Sequence, residues 1–408
     1  MRASFFVLAM ATLIFVRDAD ALNLQGFTQC IGPAGQGAVC QLDAGTYPLS
    51  AQLQIGRSNL TIKGTVVTSA RDTVLQRAPG FQGSLLIDVG PPQTNPPLAN
   101  ITIRDLTFDG NRSQNGLTNY FAELIINSTK SVLVTNCNFI NSPRFGFVVL
   151  GRGAAGVVIN NSYFGNGVIS GFWAGAPDNL SSQGYLICST VQVPDNIVIA
   201  NSRFENFDQN ALYASATHLQ LISNSFKGSH SYPIPPYPGV GGQIDLDPCT
   251  DTAAVSGNTF QSGQKGPGDG NTQGMELHGT NLWIVNNVVK DNWHDGISIG
   301  GGANIFIANW DKSAAIIGNQ AAGIAVNQVV AYGNDSLRPV DFITIDHVDI
   351  TNSSYWGIYV KDFIVPANHL VITNNCLEGN GYSPAILASN LGQDVDIRNN
   401  ALSGCSPN

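Results

Sequence analysis

Of the 408 residues, 44 are Gly and 20 Pro, and 43% are hydrophobic while only 12% are charged, about half the charged share of an ordinary soluble domain. That balance excludes coiled coils, helical bundles and disordered tails. With a net charge of -9 and 19 Lys plus Arg scattered singly, no basic face exists to neutralise phosphates, so no nucleic-acid partner is expected.

Residues 1–21 read as a secretory signal: Arg2 supplies the positive start, Ser4 to Val16 the apolar run, and Ala19-Asp20-Ala21 the small-x-small cleavage site. An uncleaved anchor is the alternative, disfavoured by the short run and by Arg17, Asp18 and Asp20 right behind it. No later stretch is apolar enough to span a bilayer. A secreted protein, extracellular or periplasmic and monomeric, is therefore expected, with residues 22–408 as one domain and 22–40 as an N-terminal cap. Seven Cys suit an oxidising compartment, and three local pairs suggest themselves: Cys30–Cys40, Cys188–Cys249 and Cys376–Cys405, leaving Cys137 as a buried thiol.

From residue 103 a six-residue phrase recurs: an aliphatic residue, two positions rich in Asn, then a Phe or aliphatic. It runs from Ile103–Phe108 through Val134–Phe139, Ile159–Phe164, Ile199–Phe204, Leu221–Phe226, Val255–Phe260, Ile284–Val289, Ile345–Ile350 and Ile372–Leu377 to Ile397–Leu402. Start-to-start gaps are 31, 25, 40, 22, 34, 29, 61, 27 and 25 residues, the 61 hiding one unregistered coil between 303 and 340. Such a period means a solenoid. Short alternating segments broken by Asn, Gly and Ser, without helical periodicity, make its units strands. Asn136, Asn161, Asn201, Asn374 and Asn399 can take left-handed geometry at the turns and ladder along the stack. With the entry phrase Gln41-Leu42-Asp43-Ala44-Gly45-Thr46-Tyr47, the pattern resembles the right-handed parallel β-helix of the pectin-lyase-like superfamily. An all-β solenoid of about ten to eleven coils is the expectation. The resemblance covers roughly residues 40–403 and implies polysaccharide chemistry without selecting a family, since lyases, hydrolases, esterases, epimerases and adhesins share the fold.

A second phrase follows the first at 12 residues in five coils, at Gly146-Phe147, Gly171-Phe172, Ala211-Leu212, Gly296-Ile297 and Gly357-Ile358. Alternation then turns two columns outward. The first reads Val148, Trp173, Tyr213, Asp245, Glu276, Ser298; the second reads Leu150, Gly175, Ser215, Asp247, His278, Gly300. Insertions at 229–242 and 262–273 precede the same strand in the two acid-bearing coils, walling a groove. His294 and Asp295 stand on the lip of the next coil.

Acids crowded in this way suit glycosidic cleavage, which needs one protonated carboxyl and one carboxylate. The candidate catalytic residues are Asp245, Glu276, Asp247 and Asp295, all expected to face solvent. Trp173 and Tyr213 would offer sugar platforms, with His278 and His294 also on substrate. Trp283, Trp293, Trp310 and Trp356 read as packing residues. The expected partner is a polysaccharide or oligosaccharide cleaved by a secreted glycoside hydrolase that needs no cofactor. Two alternatives stay open: a lyase or epimerase acting on uronic-acid polymers, with Ca²⁺ on Asp245, Asp247 and Glu276, and a non-catalytic adhesion β-helix. The polygalacturonase phrases are absent, and the cation that a lyase wants appears only at Lys361, at least three coils away.

Overall fold

A computed structural model describes residues 22–68, 72–88, 97–115, 122–143, 146–151, 153–175, 193–230, 241–264, 272–311, 313–327, 340–361 and 366–403. Its strands form three parallel sheets of 13, 12 and 12 strands, each pairing with the strand three later in sequence. This is the right-handed parallel β-helix, one strand per sheet in each coil. The first sheet begins at Val39–Leu42, the second at Gly45–Leu49 and the third at Leu53–Ile55. Before them the helix Leu24–Ile31, N-capped by the Asn23 side chain, buries Phe27 and Ile31 in the core.

The repeat phrase owes its composition to this geometry. Its last residues stack along the second sheet: Phe108, Phe139, Phe164, Phe204, Phe226 and Phe260 form one column with ring centroids 4.5–4.8 Å apart. Val289, Ile316, Ile350 and Leu377 continue it. Strand spacing sets the ring spacing, so each added Phe contributes area and stacking at once. The turn residues Asn136, Asn161, Asn201, Asn374 and Asn399 all have φ between 47° and 56°. Beside them runs a buried ladder in which Asn224, Asn258 and Asn287 each receive, on Oδ1, the backbone N–H of the residue one coil earlier. That ladder satisfies polar backbone inside the stack, where water cannot.

Twelve complete coils and a thirteenth first-sheet strand exceed the ten to eleven phrases in the sequence, because turns of unusual length break the phrase in three coils. Ile284 and Val289 are five residues apart, whereas their partners one coil on, Ile307 and Ile316, are nine apart. That coil, Gly302–Ala308, Ile316–Ile317 and Ile324–Val326, is the one hidden between 303 and 340. Likewise Ile62 and Leu75 stand where Ile103 and Phe108 stand one coil later, across 13 residues instead of five.

Cys30 and Cys40 form a disulfide, and Cys137 is a free, buried thiol. Cys249 and Cys376 are also disulfide-bonded; their expected partners, Cys188 and Cys405, lie outside the described residues, as does the signal segment 1–21. Trp283 and Trp310 are 56% and 58% exposed and Trp293 is exposed as well, which corrects their reading as packing residues.

Candidate active site

The third sheet carries the site. In its strands Phe172, Leu212, Ile244, Met275, Ile297, Ile324 and Ile358 align coil by coil and point into the core. Their alternates Trp173, Tyr213, Asp245, Glu276, Ser298, Ala325 and Tyr359 therefore form one outward column. At its N-terminal end the register differs from expectation. Val149, not Val148, pairs with Trp173, and Val148 points inward. Val134 to Val148 spans one residue more than the matching Ile159 to Phe172. The extra residue lies in the turn between Ile140 and Gly146, six residues apart where their partners Gly165 and Ser170 are five apart; beyond it the Phe147 ring fills a corner between Phe139, Phe164 and Phe207.

The second column is bound through backbone hydrogen bonds one coil apart and reads Gly175, Ser215, Asp247, His278, Gly300, Asn327, Lys361. Gly300 is a consequence of His278. A Cβ at position 300 would lie 2.4 Å from the imidazole Cε1, so only glycine leaves the ring its seat. His278 Nε2 then meets Glu276 Oε1 at 3.0 Å. The Tyr213 hydroxyl donates to Asp247 Oδ2, while Asp247 Oδ1 accepts the Cys249 N–H at 3.0 Å. Asn210 Nδ2 approaches Asp245 Oδ2 at 3.5 Å.

One ligating atom each from Asp245, Glu276 and His278 lies within 4.8 Å of the other two. Two of the central acids do not face solvent as expected: Glu276 is 5% exposed and Asp247 9%, because His278, itself 5% exposed, lies against Glu276 and Tyr213 against Asp247, whereas Asp245 is half-buried. Asp245 Oδ1 and Glu276 Oε2 are buried without a hydrogen-bond partner, an expensive state for polar atoms that commonly marks a place where a ligand or reacting group belongs.

Burial and the charges of Glu276 and Asp247 push the Asp245 carboxyl well above the usual carboxylate range, with the His278 charge opposing. Burial also raises Asp247. Burial alone would lower His278, but its bond to Glu276 and the surrounding acids carry it up to about 9. Tyr213 is driven well above 10 by burial and by Asp247 and Asp245.

Three expected site residues take other places. Trp173 is 6% exposed, packed with Val149, Val168 and Ile169 and stacked on Tyr213 at 4.1 Å, so it has no open ring face for a sugar. Tyr213, between that ring and Asp247, is a polar wall and not a platform. Asp295 is 4% exposed and accepts the Ala322 N–H at 2.8 Å, which ties its carboxylate to the turn. His294 Nδ1 lies 3.0 Å from Asp295 Oδ2, and its ring feels Glu276 as well, keeping it at the edge of the cluster. Asn210 and Gly300 complete the site. A lone Asn before a strand phrase carries no signal in sequence, and Gly300 becomes legible only once His278 is placed one coil before it.

No family model matches the chain, and no curated protein matches its sequence. Solved structures do resemble its fold. The Azotobacter vinelandii mannuronan C-5 epimerase AlgE6 A-module superposes with a TM-score of 0.61 at 14% identity, covering 91% of this chain and 92% of that one. The periplasmic alginate epimerase AlgG gives 0.52 at 11% identity over 94% and 84%. The catalytic unit of the GH87 alpha-1,3-glucanase from Streptomyces thermodiastaticus gives 0.50 at 12% identity over 93% and 65%.

Proposed function

We propose that the chain is an exported glycoside hydrolase that cleaves a neutral polysaccharide, with Asp245 as acid/base and Glu276 as nucleophile. The observation that carries this reading is the close approach of Asp245, Glu276 and His278, within 4.8 Å, with one unpartnered oxygen on each acid. Carboxyl groups this near suit the retaining arrangement, about 5 Å apart, better than the wider inverting one. Asp245, whose protonated form is favoured by burial and its acidic neighbours, donates to the glycosidic oxygen as the bond to the leaving sugar breaks. Glu276, held against His278 at 3.0 Å, attacks the anomeric carbon and forms a glycosyl ester. Water then displaces the ester, giving its proton to Asp245 and releasing the sugar with its configuration retained.

Elimination or epimerisation at a uronate asks for a free base and a cation to hold the sugar carboxylate. His278, raised to about 9, is an imidazolium at neutral pH, and Tyr213, raised well above 10, keeps its proton. The nearest Lys or Arg in the two columns after the acids is Lys361, three strands from His278 and roughly 14 Å away. A uronate would meet the carboxyls of Asp245, Asp247 and Glu276 at the centre, where the one cation, the His278 imidazolium, is already bound to Glu276. The fold is shared with enzymes whose names specify either an alginate or a glucan substrate, so the side chains carry the choice.

A divalent ion held by Asp245, Glu276 and His278 is the second reading, favoured by the same spacing. The imidazole makes this a mixed N/O set, more suited to a transition metal than to Ca²⁺. The test is a panel of neutral and uronate polysaccharides, assayed together for new reducing ends and for unsaturated uronates, with and without EDTA. Reducing ends released from a neutral glycan, without unsaturated products and indifferent to EDTA, are expected. Unsaturated products, or epimerised uronate without new ends, would refute the hydrolase.

A further inference from the structure

The catalytic column does not end at the acids. Three strands beyond Glu276 it reaches Tyr359, by way of Ser298 and Ala325, both 2% exposed. With Gly300 beside them, these small side chains put no bulk along the column between the acids and Tyr359. There the surface changes character. Trp356 lies 4.8 Å from Tyr359 and 5.0 Å from Tyr382, and Tyr382 stacks on Tyr355 at 5.1 Å. Tyr355 and Tyr382 are 44% and 49% exposed.

Four touching aromatic rings at the surface are an unusual apolar patch, of the kind that marks a binding site. Flat faces combined with phenol hydroxyls match a pyranose, which has apolar C–H faces and a polar rim. We infer that Tyr355, Trp356, Tyr359 and Tyr382 form a distal subsite that binds a ring of the neutral polysaccharide about three strands, roughly 14 Å, from the bond being cut. The inference rests on the hydrolase reading for its occupant, and continuity of the column with the acids is what selects a glycan over other occupants. A chain long enough to reach from Glu276 to this patch gains binding that a short one cannot, so the enzyme prefers long substrates.

The experiment compares kcat/KM on oligosaccharides of three and seven residues, prepared from the polysaccharide that the wild-type enzyme hydrolyses. Wild type is expected to favour the longer one at least tenfold, and Tyr355→Ala with Tyr382→Ala to collapse that ratio toward one. Tyr355→Phe with Tyr382→Phe, which keeps the rings, should retain it. Thermal melts show whether the alanine variant is folded; if it is not, Tyr382→Ala alone is read in the same way. Hydrolysis with an unchanged ratio overturns the subsite and leaves the hydrolase standing. A changed sedimentation coefficient with an unchanged ratio means that the patch seats a second copy of the chain, and also overturns it. No turnover and no binding on any neutral glycan overturns both.

Discussion

Removing the charge of Glu276 should be visible first on His278. In the wild-type site the imidazole is buried, which by itself favours the neutral ring, yet its bond to Glu276 and the nearby Asp245 and Asp247 raise it to about 9. The distance from the ordinary 6.5, at 1.36 kcal/mol per pH unit, means that the acids stabilise the imidazolium by roughly 3 kcal/mol net of burial. Because the folded value lies above the unfolded one, that stabilisation is fully present below pH 6.5 and is lost as pH rises through about 9. Glu276→Gln removes the largest raising contributions and leaves burial opposed only by Asp245 and Asp247, so the His278 midpoint should drop by at least about one pH unit. Proton NMR of the imidazole Cε1–H reads the midpoint directly. Melts across pH 6.5 to 9 should show a downward slope in the wild type that flattens in the variant. A wild-type midpoint at or below 6.5, or one unmoved by Glu276→Gln, would show that the acids do not grip this ring and would remove the assignment of Glu276 as a carboxylate held ready for attack.

Asp245→Asn should lower turnover on the glycan by about 10² or more while leaving the melting temperature at neutral pH equal or higher, since the charged form is disfavoured by burial and by Glu276; a variant that is fully active would exclude Asp245 as the proton donor. Gly300→Ala places a methyl group 2.4 Å from His278 Cε1, at a position that does not need positive φ, so it should unseat the ring, bring its NMR midpoint back toward 6.5 and cut kcat without unfolding the protein, whereas an unchanged His278 titration would contradict the packing described. Trp173→Ala should act on stability and not on KM, costing about 3–5 kcal/mol for a buried aromatic, which chemical denaturation measures; a pure KM effect with unchanged stability would restore Trp173 as a sugar platform.

What could be read from the sequence divides along physical lines. Aliphatic residues such as Ile244 and Leu246 bracket Asp245, and Met275 and Leu277 bracket Glu276, so the two-residue period alone put both acids on one face. The offset from the Phe column, nine residues from Phe204 to Tyr213, grows to 19 for Asp245 and 16 for Glu276, so it was the same aliphatic-acid-aliphatic phrase after each insertion that put them side by side, and the register agrees. Those are local facts repeated in every coil. Val148 points inward for an equally local reason: the turn between Ile140 and Gly146 is one residue longer than the turn between Gly165 and Ser170, and one added residue reverses every later side chain in the strand. The burial of Glu276 and Asp247 was not legible, because it depends on which side chains of the same strand and of the neighbouring coil lean over them. A column seen as outward is exposed only if its neighbours are small. Here Glu276 is covered by His278 two residues on in its own coil, and Asp247 by Tyr213 of the coil before. The same contacts that hide the acids from water also shift Asp245 and His278 from their ordinary titration ranges. On a β-helix, then, register places the carboxylates, and side-chain packing within and between coils turns an outward column of acids into a partly buried cluster with shifted titration, the state that the proposed proton donation and attack require.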